Sequence, residues 1–516
     1  MSGITRRTFL AGTTALASYL ALPRAGLATS PGMGFGREQV IALAHDMARQ
    51  AYMPRPEVPK EWRDLSYEQY KFIWFRHTSA LWRNSDAPYN VDFFHPGLYF
   101  PQAITIDTVE DGTARLVPFD LSAFDRTDKV PDLPEKGALG YSGFRLRTEL
   151  DEPGKKTEFC VFQGGSYFRA IGLGQTYGLS ARGLALKTGD PMGEEFPDFT
   201  RFWLERPGPG QRNMVVHALL DSPGVTGAYR FDITPGPTCV IEVQATLFPR
   251  RDLTHVGLGP LTSMFLYDST DRTRFDDFRP AVHDSDGLLI HNGAGEVLWR
   301  PLANPRALQV SSFVDQTPRG FGLMQRARDL SDFADLEAHY HNRPCSWVEP
   351  VGDWGKGAVT LVEIPADQEI YDNIVAYWRP QTPMQAGSRV DLAYRLNWGT
   401  ENWDTEATGV ISTPIPNRLA RVTNTSMGAR RAGGRIVAID FGNHPTFEDG
   451  PEAMDMRISS VHVKTSAGVL QRNPQTGGLR LAFSFDPGKR KMVELRAQLH
   501  RDGAPASEVW LYRWTA

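Results

Sequence analysis

Carboxylates, aromatic rings and arginines are concentrated in the middle third of the 516-residue sequence. Aromatic rings cover the apolar faces of sugar rings, while acids, amides and arginines bond sugar hydroxyls in a cleft. Hydrolysis of a glycosidic bond also needs two carboxyl groups, one on each side of the scissile oxygen. The mixture favours a carbohydrate site, although most single aspartates form turns and most tryptophans belong to a core. The segments concerned are 194–199, 283–286, 339–344, 347–350, 354–357 and 371–373.

Other chemistries find little support in the sequence. The glycines of 172–178 miss the GxGxxG spacing by one place, which argues against a dinucleotide loop. The stretch 164–166 is not a GxSxG elbow, which argues against that class of hydrolase. His339 and His341 could share one face of a strand, but no third ligand follows at a recognisable spacing. We therefore expect neither a metal nor a cofactor.

The first 28 residues carry the marks of an export signal. Arg6 and Arg7 precede an apolar run at 9–22, and small residues at 26–28 suit a cleavage site. The run is shorter than the ~20 residues of a membrane span, and the arginine pair indicates the twin-arginine (Tat) route. We predict a signal peptide at residues 1–28, a periplasmic location and no membrane span after its removal.

Charge and cysteine content narrow the possible partners and covalent links. The formal net charge of −4 becomes more negative without the signal, whose charged residues are all arginines, so a nucleic-acid partner is not expected. The three cysteines, Cys160, Cys239 and Cys345, form no CxxC pair. An oxidising compartment would permit disulfides, but we favour the interpretation that these cysteines are buried free thiols.

The elements that must position these residues are mostly strands. Helical periodicity covers 37–52 and 66–75, and from about residue 90 short β-rich runs alternate with Gly, Pro and Asp. Clear strands are predicted at 239–248, 390–398, 435–441 and 508–514. The Pro-rich stretch 379–387 indicates a boundary, after which 390–398 would open a new sheet. We predict a large β-sandwich with N-terminal helices at 29–385 and an immunoglobulin-like sandwich at 386–516.

Long stretches of this sequence match, in order, one family of exported proteins. They are 165–170, 177–185, 195–200, 219–222, 226–229, 261–265, 283–286, 343–344, 347–350, 354–357 and 372–375. On these stretches the sequence resembles the periplasmic glucan biosynthesis family OpgG/OpgD (MdoG/MdoD). The resemblance runs from about residue 36 to the end and is strongest between 90 and 400. The Tat motif favours the OpgD branch.

The resemblance implies a fold and a role. The fold would be a large galactose-mutarotase-like β-sandwich with a sugar cleft, joined to a smaller immunoglobulin-like domain. The role would be the making or shaping of osmoregulated periplasmic glucans, whose backbones are β-1,2-linked in many members. The OpgD branch is similar to an inverting endo-β-1,2-glucanase. The implied partners are a β-glucan and an inner-membrane glucan synthase.

The same resemblance assigns residues. Asp372 matches the general acid, Asp284 the general base and Tyr340 a tyrosine that relays or positions a proton. Tyr371 stands where the family has leucine, and His341 and Asn342 alter the stretch before Arg343, but neither change removes a carboxylate or the phenol. The expected sugar-binding residues are Arg343, Trp347, Glu349, Trp354, Lys356, Asp286, Tyr167 and Arg182.

The two aspartates would need opposite protonation states. Asp372 would hold a proton well above the reference pKa of ~3.9, as burial or a neighbouring acid would allow. Asp284 would stay ionised and take a proton from water, directly or through a relay. An inverting pair predicts carboxyl groups about 6.5–9.5 Å apart, or more with a relay.

Structural roles and other functions stay open at this point. Asp284 could cap a turn ahead of Gly287, and Asp372 could bond backbone amides at the end of a strand. A non-catalytic glucan-binding scaffold beside a membrane glucosyltransferase or branching enzyme is the main alternative function. A transferase that uses the same cleft is a third.

Overall fold

The computed structural model describes residues 34–401, 418–430 and 433–516, so the predicted signal peptide lies outside the described residues. The chain is mostly β, as predicted. Its α-helices are α1 (Arg37–Ala48), α2 (Lys60–Arg63), α3 (Tyr67–Lys71) and α4 (Leu330–Phe333). Single 3-10 turns occupy His77–Ser79, Leu121–Ala123, Arg272–Arg274, Tyr340–Asn342, Pro445–Phe447 and Pro451–Ala453.

The strands are numbered in chain order. Those of the N-terminal part are β1 (Ile73–Phe75), β2 (Asn90–Phe94), β3 (Thr105–Glu110), β4 (Thr113–Leu116), β5 (Phe124–Arg126), β6 (Gly143–Glu152), β7 (Lys155–Gln163), β8 (Tyr167–Ala170), β9 (Ser180–Arg182), β10 (Ala185–Leu186), β11 (Asp198–Glu205), β12 (Met214–Asp221), β13 (Val225–Thr234) and β14 (Cys239–Pro249).

The strands of the central and C-terminal parts are β15 (Val256–Ser263), β16 (Phe265–Tyr267), β17 (Val282–His283), β18 (Gly287–His291), β19 (Val297–Pro301), β20 (Gln309–Gln316), β21 (Gly320–Met324), β22 (Cys345–Val351), β23 (Lys356–Glu363), β24 (Ile374–Pro380), β25 (Val390–Gly399), β26 (Val422–Ala429), β27 (Arg435–Phe441), β28 (Asp455–Ser459), β29 (Val469–Arg472), β30 (Leu479–Phe485), β31 (Met492–Arg501), β32 (Ala504–Pro505) and β33 (Val509–Thr515).

Two large sheets pack face to face around the main core. The first sheet has the order β2-β6-β7-β8-β9-β15-β24-β23-β20, with β10 beside β15. The second has the order β28-β31-β33-β19-β18-β21-β22-β25-β14-β13-β12-β11-β3-β4, with β32 beside β31. Phe144 and Phe162 of the first sheet meet Phe202 and Phe231 of the second at ring-centroid distances of 5.0 to 5.6 Å. These edge-to-face contacts stabilise the packing of the two sheets against each other.

Helix α1 covers the outer face of the second sheet. Its buried residues Val40, Ile41 and Ala44 share one face and pack on Trp203 and Phe248. Every residue of β12 is buried as a result, because one face meets the core and the other meets the helix. The helix predicted at 37–52 is confirmed, although it ends at Ala48.

The helix predicted at 66–75 is shorter than expected. Ser66 caps α3, since its hydroxyl accepts a hydrogen bond from the Gln69 backbone amide at 3.2 Å. After Phe72 the chain turns into β1, which pairs with β5. The apolar residues Ile73 and Phe75 alternate with exposed Trp74, which is the period of a strand rather than of a helix.

The C-terminal residues form a smaller sandwich that shares the second sheet. Strands β26-β27-β30-β29 make one layer, and β28, β31 and β33 make the other. Buried Val437, Ile439 and Trp510 belong to the core between them. Strand β33 also pairs in parallel with β19, so the second sheet continues from the large sandwich into the small one.

One strand was correctly located but assigned to the wrong sheet. Residues 390–398 do form β25, but this strand lies between β14 and β22 inside the second sheet. The prediction that it opens a new sheet is wrong, because both edges of β25 are used by strands of the large sandwich. The strands predicted at 239–248, 435–441 and 508–514 correspond to β14, β27 and β33.

Two further features concern the state of the cysteines and the character of the helices. Cys160, Cys239 and Cys345 are all free and buried, as favoured above, and burial raises the pKa of each thiol. Among the helices of the described ranges, none has both the length and the apolar character that crossing a membrane requires.

A buried arginine joins the two sandwiches. Arg326, just after β21, donates hydrogen bonds to both carboxylate oxygens of Glu508 at 2.8 Å and to those of Glu401 at 2.7 and 2.8 Å. It also donates to the backbone oxygen of Val422 at 2.6 Å and lies 3.6 Å from the ring centre of Trp299. Both acids and the arginine are nearly inaccessible to solvent. The pairing therefore compensates charges that would be costly if left alone.

Replacing Arg326 by methionine should destabilise the contact between the sandwiches. Two buried carboxylates would lose their cation, which costs about 3–5 kcal/mol in comparable buried pairs. Urea unfolding followed by tryptophan fluorescence would measure the change. The matched control is Arg490→Met, because Arg490 is exposed. Equal transition midpoints for the two variants would contradict the assigned role.

Candidate functional site

Asp284 and Asn373, the residue after Asp372, are both anchored to the same three residues, Ser263 to Phe265. The Asp284 backbone amide donates to the Met264 carbonyl at 2.8 Å, and the Asn373 backbone amide donates to the Ser263 carbonyl at 3.1 Å. The Asn373 side chain accepts from the Phe265 amide at 2.8 Å and donates to its carbonyl at 2.9 Å. Asp284 and the neighbour of Asp372 are thus fixed on a single backbone segment.

The strand pairing explains this arrangement. Strand β15 ends at Ser263, which is paired with Ile374 at the start of β24. Strand β16 begins at Phe265, which is paired with His283 at the end of β17. The continuous stretch from β15 to β16 therefore has two neighbours. Strand β24, which follows Asp372, pairs with β15, and β17, which precedes Asp284, pairs with β16.

Asp284 is a buried acid with a cationic partner. Asp284 is 4% exposed, and its carboxylate accepts a hydrogen bond from the Arg343 guanidinium. Burial raises the pKa of Asp284 to about 6, the positive charge of Arg343 opposes that rise, and the negative charge of Asp372 adds to it. The influence of the Asp372 charge on Asp284 agrees with the shared anchor of their loops.

Asp372 is more accessible than Asp284. Its side chain is 32% exposed, and one carboxylate oxygen lies 3.7 Å from Nη2 of Arg169. Desolvation raises the pKa of this carboxyl group, while Arg169, Arg182 and Arg343 lower it in part. Asp372 thus lies at a solvent-accessible edge of the site and retains its proton more readily than a free aspartate.

Tyr340 is connected to an acid that sequence reasoning missed. Its hydroxyl donates to Oε2 of Glu369 at 2.9 Å, and Glu369 also accepts from Arg279 at 2.8 Å. Burial first, and then the bond to Glu369, raises the pKa of the Tyr340 phenol. The Arg343 guanidinium lies 4.2 Å from the Tyr340 ring centre, which places the ring beside the partner of Asp284. The sequence offered one signal for Glu369, a carboxylate three residues before Asp372.

Tyr167 and Arg182 are cross-strand partners of β8 and β9. The Arg182 guanidinium lies 4.8 Å from the Tyr167 ring centre. It donates to Glu194 at 2.6 Å and to the Thr262 hydroxyl at 3.0 Å. Because Thr262 precedes Ser263 in β15 and β15 pairs with β9, Arg182 lies beside the strand whose end anchors the loop of Asp372. The structure therefore brings together six of the predicted site residues: Asp284, Asp372, Tyr340, Arg343, Tyr167 and Arg182.

Three other predicted ligand residues, Trp347, Glu349 and Asp286, each have a side-chain polar atom that is buried in the protein. Trp347 lies in β22 within the core shared with the C-terminal sandwich, and Glu349 on the same strand is 3.5 Å from Arg395. Asp286 accepts from the backbone amides of Arg326 and Ala327 at 3.0 and 3.1 Å, and burial raises its pKa to about 7. The structure places Trp347 and Glu349, which are 0% and 2% exposed, in the interior, whereas Asp286 is partly exposed and its carboxylate faces backbone amides.

The last two predicted residues lie in other surroundings. Trp354 packs its ring edge-on to Tyr394 at 6.0 Å and donates to the Ala393 carbonyl at 3.3 Å, so it supports the core. Lys356 lines a depression of about 520 Å³ together with Val314 and Arg379. Composition alone could not separate these positions from those beside the aspartates.

The electrostatics of Asp284 can be tested with two variants that act in opposite directions. Arg343→Met removes a cation and should raise the pKa of Asp284 above about 6, whereas Asp372→Asn removes an anion and should lower it. Carbon-13 NMR of labelled aspartate would follow the titration, and an Asp284→Asn spectrum would assign the signal. A shift of the same sign in both variants would refute this arrangement of charges.

Comparisons with known proteins identify relatives over nearly the whole chain. A "Glucans biosynthesis protein G" of Bradyrhizobium diazoefficiens is 44% identical over 512 residues and covers 99% of both chains. Proteins of the same name from Vibrio cholerae and Shewanella sp. strain MR-7 are 46% and 45% identical, covering 93% of this chain and 87% of theirs. These names carry the G designation, so they do not support the preference for the D branch.

A solved polysaccharide lyase covers 72% of this chain and 46% of its own at 8% identity, with a TM-score of 0.21, which is too low to support an argument. The sequence model of one family, described as "Periplasmic glucan biosynthesis protein, MdoG", matches residues 35–514. With that match and relatives above 40% identity, the chain belongs to the MdoG family of periplasmic glucan biosynthesis proteins.

Proposed function

We propose that this protein acts in the periplasm as an inverting endo-β-1,2-glucanase that controls the length or structure of a glucan backbone. The observation that carries the proposal is the pair of aspartates, Asp284 and Asp372, whose loops are anchored on one backbone segment through Asp284 and Asn373 and which differ in exposure. Inverting hydrolysis uses two carboxyl groups in different states, one protonated and one ionised. The family's role in glucan biosynthesis gives the substrate class.

Asp372 is the general acid in this proposal. Its partial exposure lets a sugar approach, and its raised pKa favours the protonated form. It donates its proton to the glycosidic oxygen as the bond from that oxygen to the anomeric carbon breaks. The departing chain then carries the new hydroxyl group, and Asp372 is left ionised.

Asp284 is the general base. With a pKa of about 6, it is mostly ionised at neutral pH, and Arg343 stabilises that form. It takes a proton from the attacking water, whose oxygen forms the new bond to the anomeric carbon from the opposite face. Because Asp284 is nearly enclosed, we expect the proton to reach it through a relay of intervening water rather than by direct contact. Tyr340, whose ring lies against Arg343 and whose hydroxyl donates to Glu369, would relay or position that proton.

The remaining residues of the site bind and orient the glucan. Arg169, Arg182 and Arg343 present guanidinium groups that can donate to sugar hydroxyls, and Tyr167 offers an aromatic ring for a sugar face. Each guanidinium is near an acid, so the site has no strong excess of positive charge. Such a balance suits a neutral polysaccharide.

A non-catalytic scaffold that presents glucan to an inner-membrane glucosyltransferase is the second candidate. The observation in its favour is the closed ion pair of Asp284 with Arg343, which leaves the base little free surface. Incubation of purified protein with linear and cyclic β-1,2-glucans, followed by mass spectrometry, separates the candidates. Shorter products indicate hydrolysis, longer products indicate a transferase, and unchanged but bound glucan indicates a scaffold.

Asp372→Asn should lower the release of reducing ends from linear β-1,2-glucan by about 10²–10⁴-fold, the usual contribution of a general acid. Binding of the glucan should be largely kept, because the amide has the size and polarity of the carboxyl group. A reducing-sugar assay measures turnover, and calorimetry measures binding.

The matched control for this variant is Asp367→Asn. Asp367 is an exposed aspartate of the same loop and should tolerate the change. Wild-type turnover by Asp372→Asn, or equal losses in both variants, would show that Asp372 is not the acid.

A further inference from the structure

A second depression adjoins the candidate site at Tyr167. It has a volume of about 220 Å³. Its floor is formed by Phe162, Phe199 and Phe202, which are buried in the main core. Tyr99 also lines it and is 69% exposed. Tyr99 therefore offers an aromatic surface beside a bound group, while the three phenylalanines, 1–3% exposed, support the base of the depression.

Polar groups complete the lining without adding net charge. Arg55 donates to Asp198 at 2.8 Å, which pairs the two charges that face the depression. Gln102 and Gln163 add amide groups, each held by one hydrogen bond, to the Arg55 carbonyl at 3.1 Å and to the Ser142 hydroxyl at 3.0 Å. Aromatic surface combined with amides and a neutralised ion pair suits an uncharged, hydroxyl-rich ligand.

A glycine turn keeps this space open. Gly164 and Gly165 have φ values of +78° and +56°, a region that favours glycine. A Cβ atom at 164 would lie 3.0 Å from the Phe100 ring, and one at 165 would lie 3.5 Å from Oδ1 of Asp198. Both neighbours line the depression, so side chains at the turn would intrude on it or on its ion pair.

Strand β8 connects the depression to the aspartates. Tyr167, its first residue, lines the depression, and Arg169 lies 3.7 Å from Asp372. Residues two apart on a strand share a face and are separated by about 7 Å. A chain that passes Asp372 could therefore continue along this face and reach the depression within a few sugar units.

We propose that this depression is a subsite that binds one glucosyl unit of the same glucan chain, away from the bond that is cleaved. The inference rests on the proposed function, and it deepens it by predicting a preference for longer chains. The volume is below the ~300–1,000 Å³ of drug-sized sites, which suits one sugar ring rather than an oligosaccharide. Tyr99 is the residue that should contribute most to binding there, because its ring is free to cover a sugar face.

The test measures glucan affinity in the Asp372→Asn background, where chains stay intact. Calorimetry with linear β-1,2-glucans of increasing length should show tighter binding once a chain is long enough to reach the depression. Tyr99→Ala should weaken binding of long chains about five- to tenfold, the range of a moderate contact residue, and leave short chains unchanged. Tyr99→Phe should keep the affinity, because the ring is retained.

Tyr67→Ala is the matched control, since Tyr67 is a similarly exposed tyrosine on α3 outside the depression. Equal long-chain affinities for Tyr99→Ala and Tyr67→Ala would overturn the subsite while leaving the proposed hydrolase intact. Absence of any glucan binding by the Asp372→Asn parent, with wild-type protein also inactive, would overturn both. Circular dichroism of each variant verifies that the fold is kept.

Discussion

The change of partner strands at Met264 is the constraint on which the candidate site depends. Up to Ser263 the chain belongs to the first sheet, beside β24, and from Phe265 it belongs to a two-stranded sheet, beside β17. Backbone hydrogen bonds on this stretch fix the loops that carry Asp284 and Asp372. The Asn373 side chain, with bonds to Phe265 and to the Ile364 carbonyl at 3.0 Å, secures the second loop further. Two residues far apart in the chain thus become neighbours through main-chain geometry.

Burial and arginine charge then divide the chemistry between the two acids. Desolvation raises both pKa values, and nearby arginines limit the rise. Asp284 is enclosed and hydrogen-bonded to Arg343, which stabilises its ionised form. Asp372 is more exposed to solvent, and its carboxylate lies at the longer distance of 3.7 Å from the Arg169 guanidinium. Perturbed carboxyl groups of this kind concentrate at functional sites, although burial also raises the pKa of Glu363, whose ion pair with Arg300 is structural.

Local sequence patterns predicted where the strands lie better than they predicted which strands pair. The β-rich runs between Gly, Pro and Asp located β25 and β27, but such a run carries no information on strand pairing, so β25 was placed in the wrong sheet. Aromatic and acidic residues were also ambiguous. Trp347 and Glu349 resemble sugar ligands in composition, yet their strand is interior. The pairing of Asp284 with Asp372 came from family resemblance, and Glu369 was missed because its link to Tyr340 exists only in three dimensions.

In the proposed function, one glucan chain lies between the carboxyl groups of Asp284 and Asp372. A crystal structure of the Asp372→Asn variant with a linear β-1,2-glucan oligosaccharide would test this placement. We expect a glycosidic oxygen within hydrogen-bond distance of the residue 372 side chain, and a water on the opposite sugar face linked to Asp284. Sugar bound on another surface, or with no path of hydrogen bonds to Asp284, would contradict it.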